Sequence, residues 1–183
     1  MPRGRAAPIE LPAPRIAITG TWYRITRAGG DPFFWTDEPP DGRWQRGTVV
    51  RGIYLGDDEA TVWAEWFRHT AEAGVPPGRR LPRAIWRVEV DLEDVADLTA
   101  DGVLAAHEVD RLDPTRRQWP ETQPVGHAYY RDGASAVLAP AAARRGGRVL
   151  AVFRRGRTVR GVEAIPPPQR HDRLPYVPRG LRT

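Results

Sequence analysis

Between Trp22 and His69, four segments of different local character follow one another: WYRITR, DGRWQRG, IYL and DDEATVWAEWFRH. Residues 21–25 alternate like a short strand, as do 16–18 before them, and 49–55 read as another. Asp57 or Asp58 then supplies an N-cap and Gly74 a stop, which predicts a helix over 59–73. Strand, loop, strand and capped helix in so short a span predict a mixed α+β domain.

On that helix Ala60, Trp63, Phe67 and Thr70 recur at helical spacing with Trp66 alongside, a stripe that faces a core. Glu65 lies off the stripe, near Thr61, Arg68, His69 and Glu72. From periodicity alone it is a solvated carboxylate with Arg68 or His69 as neighbour. Residues 28–48 carry too much Gly, Pro and Asp for regular structure yet hold Phe33, Phe34, Trp35 and Trp44, so this loop is expected to pack over core or ligand. Further on, 84–90 alternate as a half-buried strand and 101–109 suit a short helix. GHAYYRDG closes a second helix at Gly133, and 135–138 with 149–153 form a strand pair. The domain is expected over 16–165. A Pro/Arg-rich lead, 1–15, precedes it, and a Pro-rich tail, 166–183, follows, expected to be extended or disordered.

With 183 residues, 40% hydrophobic content and seven Trp, the chain can bury one core. The absence of Cys excludes a disulfide framework, a Cys zinc site and a Cys nucleophile. The four His, at 69, 107, 127 and 171, show no paired ligand spacing, so no metal is expected. No stretch approaches a membrane span, and the first twenty residues contain no apolar run, which makes a cytoplasmic location the expectation. All 28 basic residues are Arg. A GC-rich coding bias explains that together with the abundant Ala, Gly and Pro; the functional reading is phosphate recognition through guanidinium forks.

The order of the four segments resembles the RES domain, the toxin half of a bacterial toxin–antitoxin pair, named for an arginine, a glutamate and a serine. The resemblance spans about residues 21–153. It implies a fold similar to the diphtheria-toxin-like ADP-ribosyltransferases, two small packed sheets with flanking helices around a cleft that holds NAD. Position by position, Arg24 matches the first arginine, Arg43 in DGRWQ a second, Tyr54 an aromatic lining the NAD pocket and Glu65 the catalytic acid. Trp44 joins the expected cofactor-binding set. The serine stands in a PSA-like triplet before the last family strand. Here that triplet is Pro140-Ala141-Ala142, so Ala141 takes the serine position without its hydroxyl. Ser135, six residues upstream and about 20 Å away along an extended strand, is no evident substitute.

These groups suit one reaction. As nicotinamide leaves NAD, the ribose acquires oxocarbenium character, as in glycoside hydrolysis. A fixed carboxylate about 4 Å away, at an effective dielectric near 20, attracts that charge by about 4 kcal/mol, roughly a thousandfold in rate. Glu65 is the candidate. Arg24 and Arg43 suit the pyrophosphate, and the Tyr54 ring suits nicotinamide. The resemblance implies NAD as substrate without a metal, water or phosphate as acceptor, and a separately encoded antitoxin with an Xre-like helix-turn-helix domain whose tail covers the cleft. The alternatives are ADP-ribosyl transfer to a protein, a degenerate RES domain that acts by protein binding, and an arginine-rich nucleic-acid module. Against the last stand the 23 acidic residues spread through the chain and the lack of any nucleic-acid-binding motif.

Overall fold

The structure, a computed structural model, describes residues 11–182; residues 1–10 of the expected lead lie outside the described residues. Six strands, β1 (Arg15–Arg27), β2 (Arg51–Gly56), β3 (Arg83–Asp97), β4 (Ala136–Pro140), β5 (Arg148–Arg154) and β6 (Val162–His171), combine with three α-helices among the described residues, α1 (Glu59–Glu72), α2 (Val103–Ala106) and α3 (Trp119–Arg131). This is a mixed α+β fold.

Two antiparallel groups of three strands are joined into one sheet that bends back on itself. β1, β3 and β6 form one group and β2, β5 and β4 the other, in the order β1-β2-β5-β4-β3-β6. β4 lies parallel to the end of β3, Val95 opposite Ala136. β1 closes the ring by pairing along β3 while touching β2 at a single register pair, Tyr23 with Gly56.

Strand alternation sorts the side chains into layers. Trp22, Ile53, Leu55, Val88, Val90, Leu138, Leu150 and Val152 point inward and fill the space between the two groups. On the outer face of β4 and β5, Val137, Ala139, Ala151 and Phe153 pack against Val125 and Tyr129 of α3 and against Trp44. On the other outer face Val62, Trp63 and Trp66 of α1 cover Ile85, with Tyr23 and Ile25 of β1 against them.

Helix α1 runs as its cap predicts. The Asp58 side chain accepts from the Thr61 amide at 2.7 Å, a cap worth about 1 kcal/mol, and Gly74 ends it at φ +62. Helix α3 begins well before GHAYYRDG. Pro120 falls in its first turn, where a missing N–H costs nothing, and Pro124 removes one interior bond. Tertiary hydrogen bonds from Thr122 and Gln123 hold the segment helical all the same. The first part of the tail is a strand. Among the described residues β6 pairs only with β3, and Pro166, Pro167 and Pro168 fall where its register shifts past Trp86, so an edge strand tolerates three residues that cannot donate.

Candidate active site

Where β1 and β2 separate beyond Tyr23 and Gly56, a cavity of about 340 Å³ opens, within the range of small-molecule sites. Its floor is the outer face of β2. Gly52 and Gly56 flank Tyr54 there, so the ring stands between two positions without side chains. One wall is α1, with Thr61, Glu65, Trp66, Arg68 and His69. Asp41, Gly42, Arg43, Trp44 and Gln45 form another, and Arg24, Trp119, Pro140 and Ala142 complete it.

The sequence DGRWQ forms its wall because α3 grips its backbone. Thr122 Oγ1 donates to the Arg43 carbonyl at 2.7 Å and Gln123 Nε2 to the Gly42 carbonyl at 3.0 Å. Gly126 lies so close that a Cβ there would sit 1.8 Å from the Trp44 carbonyl oxygen. Trp44, 1% exposed, belongs mainly to the core. Its amide donates to the Tyr54 hydroxyl at 2.9 Å, and that hydroxyl donates in turn to Gln45 Oε1. Burial raises the Tyr54 pKa, against the opposing pull of the Trp44 amide bond and the Arg43 charge, and the hydroxyl stays protonated.

The two predicted arginines differ in what they have left to give. Arg43 Nη1 donates to Gln118 Oε1 at 3.0 Å and Nη2 to the carbonyls of Asp113 and Thr115. Burial lowers its pKa while the charge of Glu65 opposes the shift. Arg24 donates from Nη1 to the Tyr54 carbonyl at 3.0 Å, and its Nε is buried with no partner. Burial, with Arg154 nearby, lowers it to about 10, so it remains cationic at neutral pH.

Glu65 is not on a solvated face. Its Oε2 accepts from Arg68 Nε at 3.3 Å, and its Oε1 accepts from the Ala143 amide at 3.2 Å. Arg68, 5% exposed, also donates to Glu72 at 3.0 Å and lies against the His69 ring. Burial, then the charges of Arg68, Arg116 and Arg43, lower His69 to about 3, so the ring is neutral.

The structure thus brings Arg24, Arg43, Trp44, Tyr54 and Glu65 to one cavity. Ala141 is not with them. It is 3% exposed, its amide donates to the Gly147 carbonyl at 2.8 Å, and its neighbours Pro140 and Ala142 line the cavity instead. Alternation at the end of β4 turns the serine position away from the cavity. Ser135 donates to the Glu93 carbonyl, away from the cleft. Sequence reasoning missed Gln45, Thr61, Trp119 and Arg68 as wall residues. Only Arg68 left a signal, its i+3 spacing from Glu65. Among the described residues no group of His, Asp and Glu side chains could hold a metal ion, and no helix is long and apolar enough to cross a membrane.

A bent, ring-closed sheet with a cleft beside its one split corner is the ADP-ribosyltransferase-like arrangement. Within that class the chain belongs to the RES domain family, whose model matches residues 21–176. It is 37% identical over 147 residues to a probable NAD(+) phosphorylase of Mycobacterium tuberculosis (strain ATCC 25618 / H37Rv), covering 77% of this chain and 68% of that protein. Its fold is similar to a chain in the crystal structure of the M. tuberculosis MbcT-MbcA toxin-antitoxin complex. There the TM-score is 0.64 and the identity 26%, over 82% of this chain and 86% of that one.

Proposed function

We propose that this protein is the toxin of a toxin–antitoxin pair and that it depletes NAD by breaking the nicotinamide–ribose bond. One observation carries the reading: among the described residues, Glu65 is the sole glutamate in the wall of a cavity that also holds the guanidiniums of Arg24, Arg43 and Arg68. Such a site suits a ligand that is anionic at one end and develops positive charge at the other.

In the reaction the bond between the ribose anomeric carbon and nicotinamide breaks. Its electron pair stays on the nicotinamide nitrogen, which becomes neutral, and the ribose becomes an oxocarbenium ion. The Glu65 carboxylate stabilises that ion more than it stabilises NAD, which is the condition for acceleration. Arg24 has donors to spare and binds the pyrophosphate. Arg43, already engaged by three protein acceptors, contributes a fixed charge. Tyr54 contributes its ring. The reaction ends when an oxygen of phosphate or water adds to the anomeric carbon, and the name of the M. tuberculosis relative favours phosphate. The partner is a cognate antitoxin, as in the complex to which the fold is similar. It carries an Xre-like helix-turn-helix domain and covers the cleft with its tail.

Incubation with NAD, with and without phosphate, followed by mass analysis of the products, tests this. Free nicotinamide is expected in both, with ADP-ribose 1″-phosphate when phosphate is present and ADP-ribose when only water is. Intact NAD under both conditions overturns the reading.

A further inference from the structure

Glu65 draws its two hydrogen bonds from very different places. Arg68 stands one turn along the same helix, whereas the Ala143 amide comes from a turn 78 residues later in the chain. That turn, AAARRGG, offers no side chain larger than methyl at 141–143 with which to pack itself in place. In this segment, whose Pro140-Ala141-Ala142 triplet carries no hydroxyl, the Ala143 backbone amide is the group that reaches the carboxylate.

Ala143 is fully buried, and its carbonyl accepts from the Arg182 amide at 2.8 Å. The Arg145 amide donates to the Gly180 carbonyl at 2.8 Å, Arg144 pairs with Leu181 as an antiparallel bridge, and Arg144 Nε donates to the Arg179 carbonyl at 3.3 Å. Arg182 Nη2 ties the far end to the Leu112 carbonyl at 2.9 Å. Residues 180–182 therefore form a short ladder with 143–145. On its other side the turn is fastened to the start of α1, where Arg144 Nη1 donates to Asp58 at 2.8 Å and to Thr61 Oγ1 at 2.9 Å.

We propose that residues 179–182 are a positioning strap for the catalytic acid: by pairing with 143–145 they hold the Ala143 amide where it orients the Glu65 carboxylate. The proposal rests on the reading of Glu65 given above. It assigns to the end of the chain an effect on the chemical step and none on NAD binding, because no strap residue lines the cavity. A shift of about 1 Å in a reacting group is enough to cost orders of magnitude in rate.

Gly180 is the place to test it. It sits at φ +80, where a β-branched side chain is strained, and a Cβ there would lie 3.0 Å from the Arg145 carbonyl oxygen, so Gly180→Val is expected to loosen the ladder. Gly180→Asn tolerates the left-handed backbone better and keeps part of it. With Gly180→Val, kcat for NAD cleavage is expected to fall about tenfold at unchanged KM, Gly180→Asn to recover most of that loss, and exchange of the Ala143 amide with solvent to speed up. Should Gly180→Val not fold, Arg182→Ala, which removes only the anchor to Leu112, is expected to lower kcat by roughly two- to threefold. An unchanged kcat in a folded variant of an active protein overturns the strap alone. So does a rise in KM that matches the fall in kcat. A wild type that leaves NAD intact overturns the reading of Glu65 and removes the strap's purpose with it, even where amide exchange reports an intact ladder.

Discussion

The wall that carries Arg43 and Trp44 is gripped by α3 at three successive backbone positions, whereas the wall that carries Glu65 holds its carboxylate by one amide at 3.2 Å and one guanidinium at 3.3 Å. The first wall is continuous with the hydrophobic core; Trp44 serves both. The second is assembled from a helix face and the turn that follows β4. Groups that bind a ligand need only be rigid and correctly charged, and burial in a core achieves that. A carboxylate that must face a short-lived cation needs direction as well, and here direction comes from segments far apart in the chain.

The comparison breaks first on the gripped side. Gly126→Val drives a side chain into the Trp44 carbonyl and should destabilise the fold by about 3–5 kcal/mol, read as a collapse of the melting temperature. A variant that melts like wild type would mean the α3 contact is not what holds that wall. On the other side, Glu65→Gln keeps the side-chain shape and removes the charge. NAD turnover should drop by about a hundredfold, or ~2.7 kcal/mol in the transition state, with little change in melting. Expressed without antitoxin, wild type should deplete cellular NAD and arrest growth, and this variant should not; equal toxicity would remove Glu65 from the chemistry.

Acid sharpens the contrast further. His69, beside Arg68 on the Glu65 wall, is held at about 3 in the folded protein against about 6.5 unfolded. The unfolded chain takes up this proton first, so the stability that neutral His69 contributes is present above pH 6.5 and is lost as pH falls toward 3. Melting temperature should decline through that window, and His69→Gln should flatten the decline; parallel curves would place the acid sensitivity elsewhere. The smallest effect is expected at Ala141. Its neighbours, not Ala141 itself, face the cavity, so Ala141→Ser should change NAD turnover by less than about twofold. A clear gain would show that the hydroxyl reaches the ligand after all.

Much of this molecule was legible from local pattern. The Asp58 cap, the Gly74 stop and the Trp63 stripe announce α1 within a residue, and the alternation in VLAVF announces β5. The order of WYRITR, DGRWQRG, IYL and WAE led to the five side chains that share the cavity. Two proline-bearing segments carry no such local signal, because the early turns of α3 and the strand β6 are held by partners elsewhere in the chain. Glu65 shows the limit most sharply. Periodicity places it opposite the core stripe, and that is correct; the face is nonetheless covered, by a turn that sheet closure brings across from beyond β4.

By itself, then, the sequence determined the helix and strands whose signals lie within a few residues, the family, and the identity of the charged and aromatic groups. Tertiary structure alone decided that Arg24 keeps its donors while Arg43 spends them, that Ala142 rather than Ala141 meets the cavity, and that the Glu65 carboxylate is held by Ala143. The physical reason is that the deciding partners are backbone amides and carbonyls. Every non-proline residue carries the same pair, so no residue type marks which ones the fold will use.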